Sequence, residues 1–303
     1  MECLLIFPNM KTPSLHIQPQ HKVDFKVLNE PLQKTYTEIL ARAKKLSGSS
    51  MPLGAPVIIR LHLEISYSAY QATRYLYAEM PEDPKRKPEF LTVGPPIQRS
   101  MLDGLFNIVY LGLDLEKATH EYYRGVWKET LQYYRRYKKK YGQKPDWQDC
   151  LEGLEKLVAE LARSEKLNEA DYGTVNRWPT PGDMCRRTLP KGTKDFFLHL
   201  QEWFYRSYSQ EDHLSWPGLA RRGVIFLRDL KSEPDQEYVK KQKSDQLYRA
   251  LLILLMTLSE VNAQFSFGFH TQLQYIWTIL LNYFDETREL YDLRYRALLS
   301  VAT

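Results

Sequence analysis

The sequence predicts a mainly α, multi-helix bundle, and three observations predict it. Most segments between breaks carry apolar residues at three- and four-residue spacing, which marks one buried helix face. Clean alternation without a competing helical stripe is confined to the N-terminal segment. The chain has 303 residues, 43% hydrophobic and 26% charged, enough to build a core without disulfide staples. Mean hydropathy is −0.49, and the longest strongly apolar run, residues 250–258, falls short of the roughly 20 residues of a spanning helix. A soluble protein with no membrane partner is expected. The three cysteines Cys3, Cys150 and Cys185 form no CxxC pair, which fits a reducing compartment better than a disulfide scaffold or zinc site. With no evident secretory signal, the expected location is cytoplasmic. A net charge of +5 permits an anionic partner without requiring one.

Residues 1–28 read as an N-terminal arm or small β element. An apolar run over residues 3–7 stops at Pro8, and Val23, Phe25 and Val27 alternate with Asp24 and Lys26. Residues 29–303 read as a single all-α domain. Leu32, Tyr36, Ile39 and Leu40 share a helix face ahead of a break at residues 47–50. Residues 57–80 fit both periods, since Ile59, Leu61, Leu63 and Ile65 alternate while Ile58, Leu61, Ile65, Ala69, Ala72 and Leu76 form a stripe. Helix is preferred, because a lone strand would leave its backbone groups unpaired. Residues 81–96 carry five prolines and read as an extended connection. A long helix then runs from Ile97, bent near Gly112, to a basic end at residues 133–141 that stops at Gly142.

Residues 147–167 repeat the helical pattern with Leu151, Leu154, Leu157, Val158 and Leu161 as apolar face. Residues 168–192, with Pro179, Pro181 and Pro190, read as loop, and Phe196, Phe197, Leu200, Trp203 and Phe204 mark an amphipathic helix. Another helix starts around Ser215, Trp216 and Pro217, where Ser caps and Pro suits the first turn. Helices over 234–261 and 271–299 complete the bundle, with the proline-rich segments as loops and not domain boundaries.

Common catalytic signatures are absent: there is no GxxxxGK[ST], GxGxxG or GxSxG. Glu116 and His120 are four apart, not the Glu-x-x-His of a di-iron bundle, and neither His62 nor His120 has a zincin partner. No metal and no cofactor is expected. Cys185 lies beside Arg186 and Arg187, which could lower a thiol pKa, although a cysteine in a polar loop is ordinarily incidental.

Three features carry candidate chemistry. Arg206 precedes His213 in Arg-Ser-Tyr-Ser-Gln-Glu-Asp-His; a fixed cation neutralises a phosphate while an imidazole moves a proton, which suffices for metal-free RNA cleavage. A polar ridge, Arg99, Asp103 and Asn107, repeats every four residues within an apolar helix. There Asp103 needs a cation or donor, supplied locally by Arg99 or from a facing helix by Arg206 or His213. Finally, Arg135, Arg136, Lys138, Lys139 and Lys140 interleave with tyrosines, suiting single-stranded nucleic acid, although cations at a helix C-terminus also suit the helix dipole.

Arg99-Ser-Met-Leu-Asp103 on one helix and Tyr205-Arg206 through Ser209 to His213 at a later junction resemble the HEPN-like helical proteins of prokaryotes. The likeness is to an uncharacterised branch in which Tyr, Ser and His mark a helix end. Many members of that superfamily are metal-independent ribonucleases of toxin, defence or RNA-processing systems, often homodimers, and others are inactive scaffolds. The resemblance implies that Arg206 holds the scissile phosphate, His213 acts as general acid or base, and Asp103 orients them, leaving a cyclic phosphate end. Ser207 stands where active members commonly carry Asn, Asp or His. The alternatives are a non-catalytic interaction or scaffold protein, self-associated or bound to a protein partner, and a nucleic-acid-binding module that does not cleave.

Overall fold

The computed structural model describes residues 25–46, 54–80, 88–206, 219, 225, 232–282 and 285–300. The predicted mainly α bundle is what it contains. Its centre is a single long helix, because only residues 245–262 are apolar or buried nearly all round: this segment lies within Glu233–Phe265 and is surrounded on every side, as a helix without a polar face must be. At 1.5 Å per residue that helix is about 50 Å long.

In chain order the α-helices are α1 (Phe25–Leu46), α2 (Ala55–Arg74), α3 (Gly94–Leu111), α4 (Leu115–Tyr141), α5 (Gln148–Glu165) and α6 (Pro181–Arg186). They are followed by α7 (Lys191–Leu200), the central α8 (Glu233–Phe265), α9 (His270–Leu281), α10 (Asp285–Leu290) and α11 (Arg296–Ser300). Helices α1, α2, α3, α9 and α11 pack on α8, while α4 pairs chiefly with α5 in a hairpin at the side of α3. After Leu131 no side chain of α4 is fully buried, and in the distal third of the helix Tyr134 still packs against the edge of the core.

Several elements depart from the sequence expectations. Phe25, expected in the N-terminal β element, opens α1 instead, so the boundary at residue 28 falls inside a helix; the rest of the proposed element, residues 1–24, lies outside the described residues. Pro95 and Pro96 occupy the first turn of α3 rather than an extended connection, a position where proline costs no helical hydrogen bond. The long helix expected from Ile97 to residue 141 is two helices. Gly112 ends α3, and Asp114 caps α4 by accepting from the Lys117 backbone N–H at 3.1 Å. The loop at 168–192 contains α6, held by a reciprocal cap between Thr180 and Asp183. The last helix is interrupted after Leu281. The start expected at Ser215 lies outside the described residues. Among the described residues no helix is long and apolar enough to cross a membrane.

Candidate functional site

Helix α3 positions the polar ridge through its opposite face. Met101, Leu102, Leu105 and Phe106 are fully buried, and a Cβ on Gly104 would lie 3.2 Å from Ser66 Oγ of α2. With α3 fixed in this way, Phe106 meets Phe197 of α7 with ring centres 4.8 Å apart and the edge of Tyr205 at 5.9 Å. Tyr205 reaches that position because residues Gln201–Tyr205 continue α7 as one wider, π-type turn. The wider turn slips the helical register. Phe204 is buried as its spacing predicts, while Trp203, expected on the same apolar face, is 38% exposed.

The result is a three-residue constellation. Arg99 Nη2 donates to the Tyr205 hydroxyl at 3.3 Å, and its guanidinium carbon stands 5.2 Å from the Tyr205 ring centre. Burial is the main cause of a raised Tyr205 pKa; the Arg99 hydrogen bond opposes the rise and the facing Asp103 carboxylate adds to it. The first two residues of the ridge therefore meet one phenol from a different helix. Asn107, one turn further, has other partners: its Oδ1 accepts from Trp178 Nε1 at 2.8 Å, and its amide nitrogen lies 3.4 Å from His62 Nε2. Trp178 can only donate, so Asn107 Nδ2 faces the imidazole and His62 Nε2 must accept. Its proton then sits on Nδ1, and burial lowers the His62 pKa to about 4.

Arg206, expected to share this centre, is turned outward. Its Nη1 pairs with Glu202 at 3.3 Å, with side chains 66% and 64% exposed. The guanidinium set against Tyr205 is that of Arg99, one turn from Asp103 on α3, and not that of Arg206. His213, Ser207 and Ser209 lie outside the described residues. Tyr205 was within the motif that sequence reading singled out, but its approach to Asp103 depends on the π-type turn, which has no periodic signature.

Cys185 is buried in α6 beneath Phe197, and burial pushes its thiol up to about 11. Of the two readings of Cys185, this supports the incidental one over a thiol activated by Arg186 and Arg187. Arg187 instead binds Glu121 at 2.6 Å and the Tyr110 hydroxyl. Among the described residues no three His, Cys, Asp or Glu side chains gather where they could hold a metal.

The basic end of α4 divides between two faces. Arg135 lies 3.4 Å from Glu169 and over the Tyr172 ring, while Lys138 bonds to the Tyr134 hydroxyl at 2.6 Å and lies 3.9 Å from Glu155 of α5. Arg136 lies over the rings of Tyr133 and Tyr137 at 5.0 and 5.1 Å, and Lys140 over Tyr141 at 5.1 Å. Lys139 is exposed. No protein-family model, curated protein or solved structure matches the chain.

Proposed function

We propose that the protein is a HEPN-like, metal-independent endoribonuclease, with single-stranded RNA as substrate. The observation that carries the reading is the meeting of Arg99 and Asp103 with Tyr205, at the mouth of the segment that continues through Arg206 to His213. Tyr205 and Arg206 are adjacent, so the constellation fixes where the next guanidinium leaves the core. The exposed Arg206–Glu202 pair is of a kind worth at most about 1 kcal/mol, so a phosphodiester displaces the carboxylate at little cost.

In the proposed reaction a ribose 2′-hydroxyl attacks the adjacent phosphorus as His213 takes its proton. The phosphorus to 5′-oxygen bond breaks, the departing oxygen takes a proton from water, and a 2′,3′-cyclic phosphate remains. Arg206 balances charge on the phosphate. Asp103, Arg99 and Tyr205 are positioning residues that hold the junction in place. The resemblance also implies a homodimer, which brings two such segments together.

The test is incubation of purified protein with unstructured single-stranded RNA in EDTA. The parent cuts and His213→Ala does not; equal rates for the two chains refute the reading. An interaction module without catalysis instead gives a stable self-complex or partner complex, intact RNA and unaltered binding by His213→Ala.

A further inference from the structure

The outer face of α4 carries a pattern that the ridge and the junction do not explain. Tyr133, Arg136, Tyr137 and Lys140 follow the three- and four-residue spacing that aligns side chains along one helix face. Arg135 and Lys138 point the other way, toward Tyr172, Glu169 and α5. The basic run is therefore two faces of different character, one directed toward Glu169, Tyr172 and α5 and one turned outward.

A second cation joins the outward face from another part of the chain. Arg177 Nη2 donates to Gln132 Oε1 at 2.5 Å, and with Arg136, Tyr133, Gln132 and Glu129 it lines an open cleft of about 220 Å³. Its place is fixed by its neighbour. Trp178 donates to Asn107 and packs edge-on against Tyr110 and Tyr122, with ring centres 5.3 and 5.0 Å apart. Gly125 of α4 admits the Trp178 backbone, since a Cβ there would come within 2.5 Å of the Trp178 nitrogen. Arg177 is thus held between the ridge of α3 and the outward face of α4. Asn107 is one turn, about 6 Å, from Asp103 along α3.

We infer that Arg136 and Arg177, with Tyr133 as a stacking platform and Lys140 beyond them, bind the backbone of a single-stranded nucleic acid on the outward face of α4. The inference rests on the ribonuclease reading for its choice of substrate and names the surface along which that strand runs. Two guanidiniums outweigh the single carboxylate of Glu129 and offer planar forks that suit phosphate oxygens. Tyr133 is 47% exposed, and ring stacking of this kind accepts any base. A protein partner would recognise an apolar patch or a complementary acidic one; cations beside a half-exposed tyrosine match a strand whose phosphates and bases alternate.

The experiment measures binding of a labelled, unstructured 2′-O-methyl RNA of twenty nucleotides to the full chain by fluorescence anisotropy across a salt series. This probe cannot undergo 2′-hydroxyl attack, so binding is read apart from cleavage. Each lost phosphate contact lowers the salt slope by about 0.7, or about fivefold in affinity at 0.1 M salt. Arg136→Gln/Arg177→Gln is therefore expected to bind roughly twenty-fivefold more weakly at 0.1 M salt, with a slope shallower by about 1.4. Arg135→Gln/Lys138→Gln, which removes the same net charge, should lose less than about threefold because those cations are directed toward Tyr172 and α5, away from the cleft that Arg136 and Arg177 line. Tyr133→Ala should weaken binding without changing the slope. Equal losses in the two double variants, or a parent that does not bind the probe, overturn the inference. Face-dependent binding with no cutting of ordinary RNA would remove only the ribonuclease reading, whereas cutting with face-independent binding would remove only this one.

Discussion

His62 and Tyr205 show how two partly buried side chains that meet α3 take opposite roles. At His62 the Trp178 donor fixes Asn107, and Asn107 fixes the imidazole as an acceptor. Protonation at Nε2 would set two donors against each other. The pKa of about 4 in the fold lies below the usual 6.5 of an unfolded histidine. The stabilisation is thus complete above pH 6.5 and is lost as pH falls toward 4, where the unfolded chain binds the proton first. The loss is roughly 3 kcal/mol by linkage, and it should appear as a falling urea midpoint between pH 7 and pH 4. His62→Gln should flatten that dependence; parallel profiles for the two chains would contradict the assignment. At Tyr205 the hydroxyl joins Arg99 and faces Asp103. Tyr205→Phe should leave the thermal midpoint within a few degrees and slow RNA cutting at least tenfold, and an unslowed variant would show that the hydroxyl positions nothing.

Among the elements, the π-type turn at Gln201–Tyr205 has the largest consequence for the candidate site. A single-residue deletion within it, removing Gln201, should restore ordinary helical register and rotate Tyr205 away from Asp103. Circular dichroism should then report unchanged helix content and the RNA assay a loss of cutting; retained cutting would mean that the turn is incidental. The same turn explains where sequence reading stopped. Periodicity revealed the amphipathic core of α7 in Phe196, Phe197, Leu200 and Phe204, all buried, but assigned Trp203 to that face because a constant 3.6-residue period contains no slip. It also identified α2, where helix prevailed over alternation, and the ridge at Arg99 and Asp103. The break after Gly112 was read as a bend because the apolar pattern resumes beyond it, although Asp114 carries the capping chemistry that separates α3 from α4. The division of the basic run was not visible either. It depends on Glu155, Glu169 and Arg177, which reach α4 through tertiary packing alone.

The whole molecule is tied together by a charge pair deep in the bundle. Glu260 of α8 is 1% exposed and meets Arg294 with Nε to Oε1 at 2.5 Å and Nη2 to Oε2 at 2.8 Å. Arg294 also donates to Thr193 of α7 at 3.2 Å and lies over the Phe196 ring. Burial works against the charge on Arg294, and the Glu260 carboxylate more than restores it. This pair connects the central helix, the C-terminal segment and the helical stretch that carries Tyr205. Arg294→Met leaves a buried carboxylate alone, a change that typically costs about 3–5 kcal/mol. Chemical denaturation should show that loss as one cooperative transition at lower denaturant; an unchanged midpoint would mean that the pair does not brace the bundle.

The most direct test of ribonuclease function is the chemistry of the cut ends. A single-stranded oligonucleotide with one ribonucleotide in an otherwise deoxy chain, digested in EDTA and analysed by mass spectrometry, should be cut only 3′ of that ribose and carry a 2′,3′-cyclic phosphate. Intact oligonucleotide, or cutting at deoxy positions to leave other ends, would contradict transfer to a ribose hydroxyl.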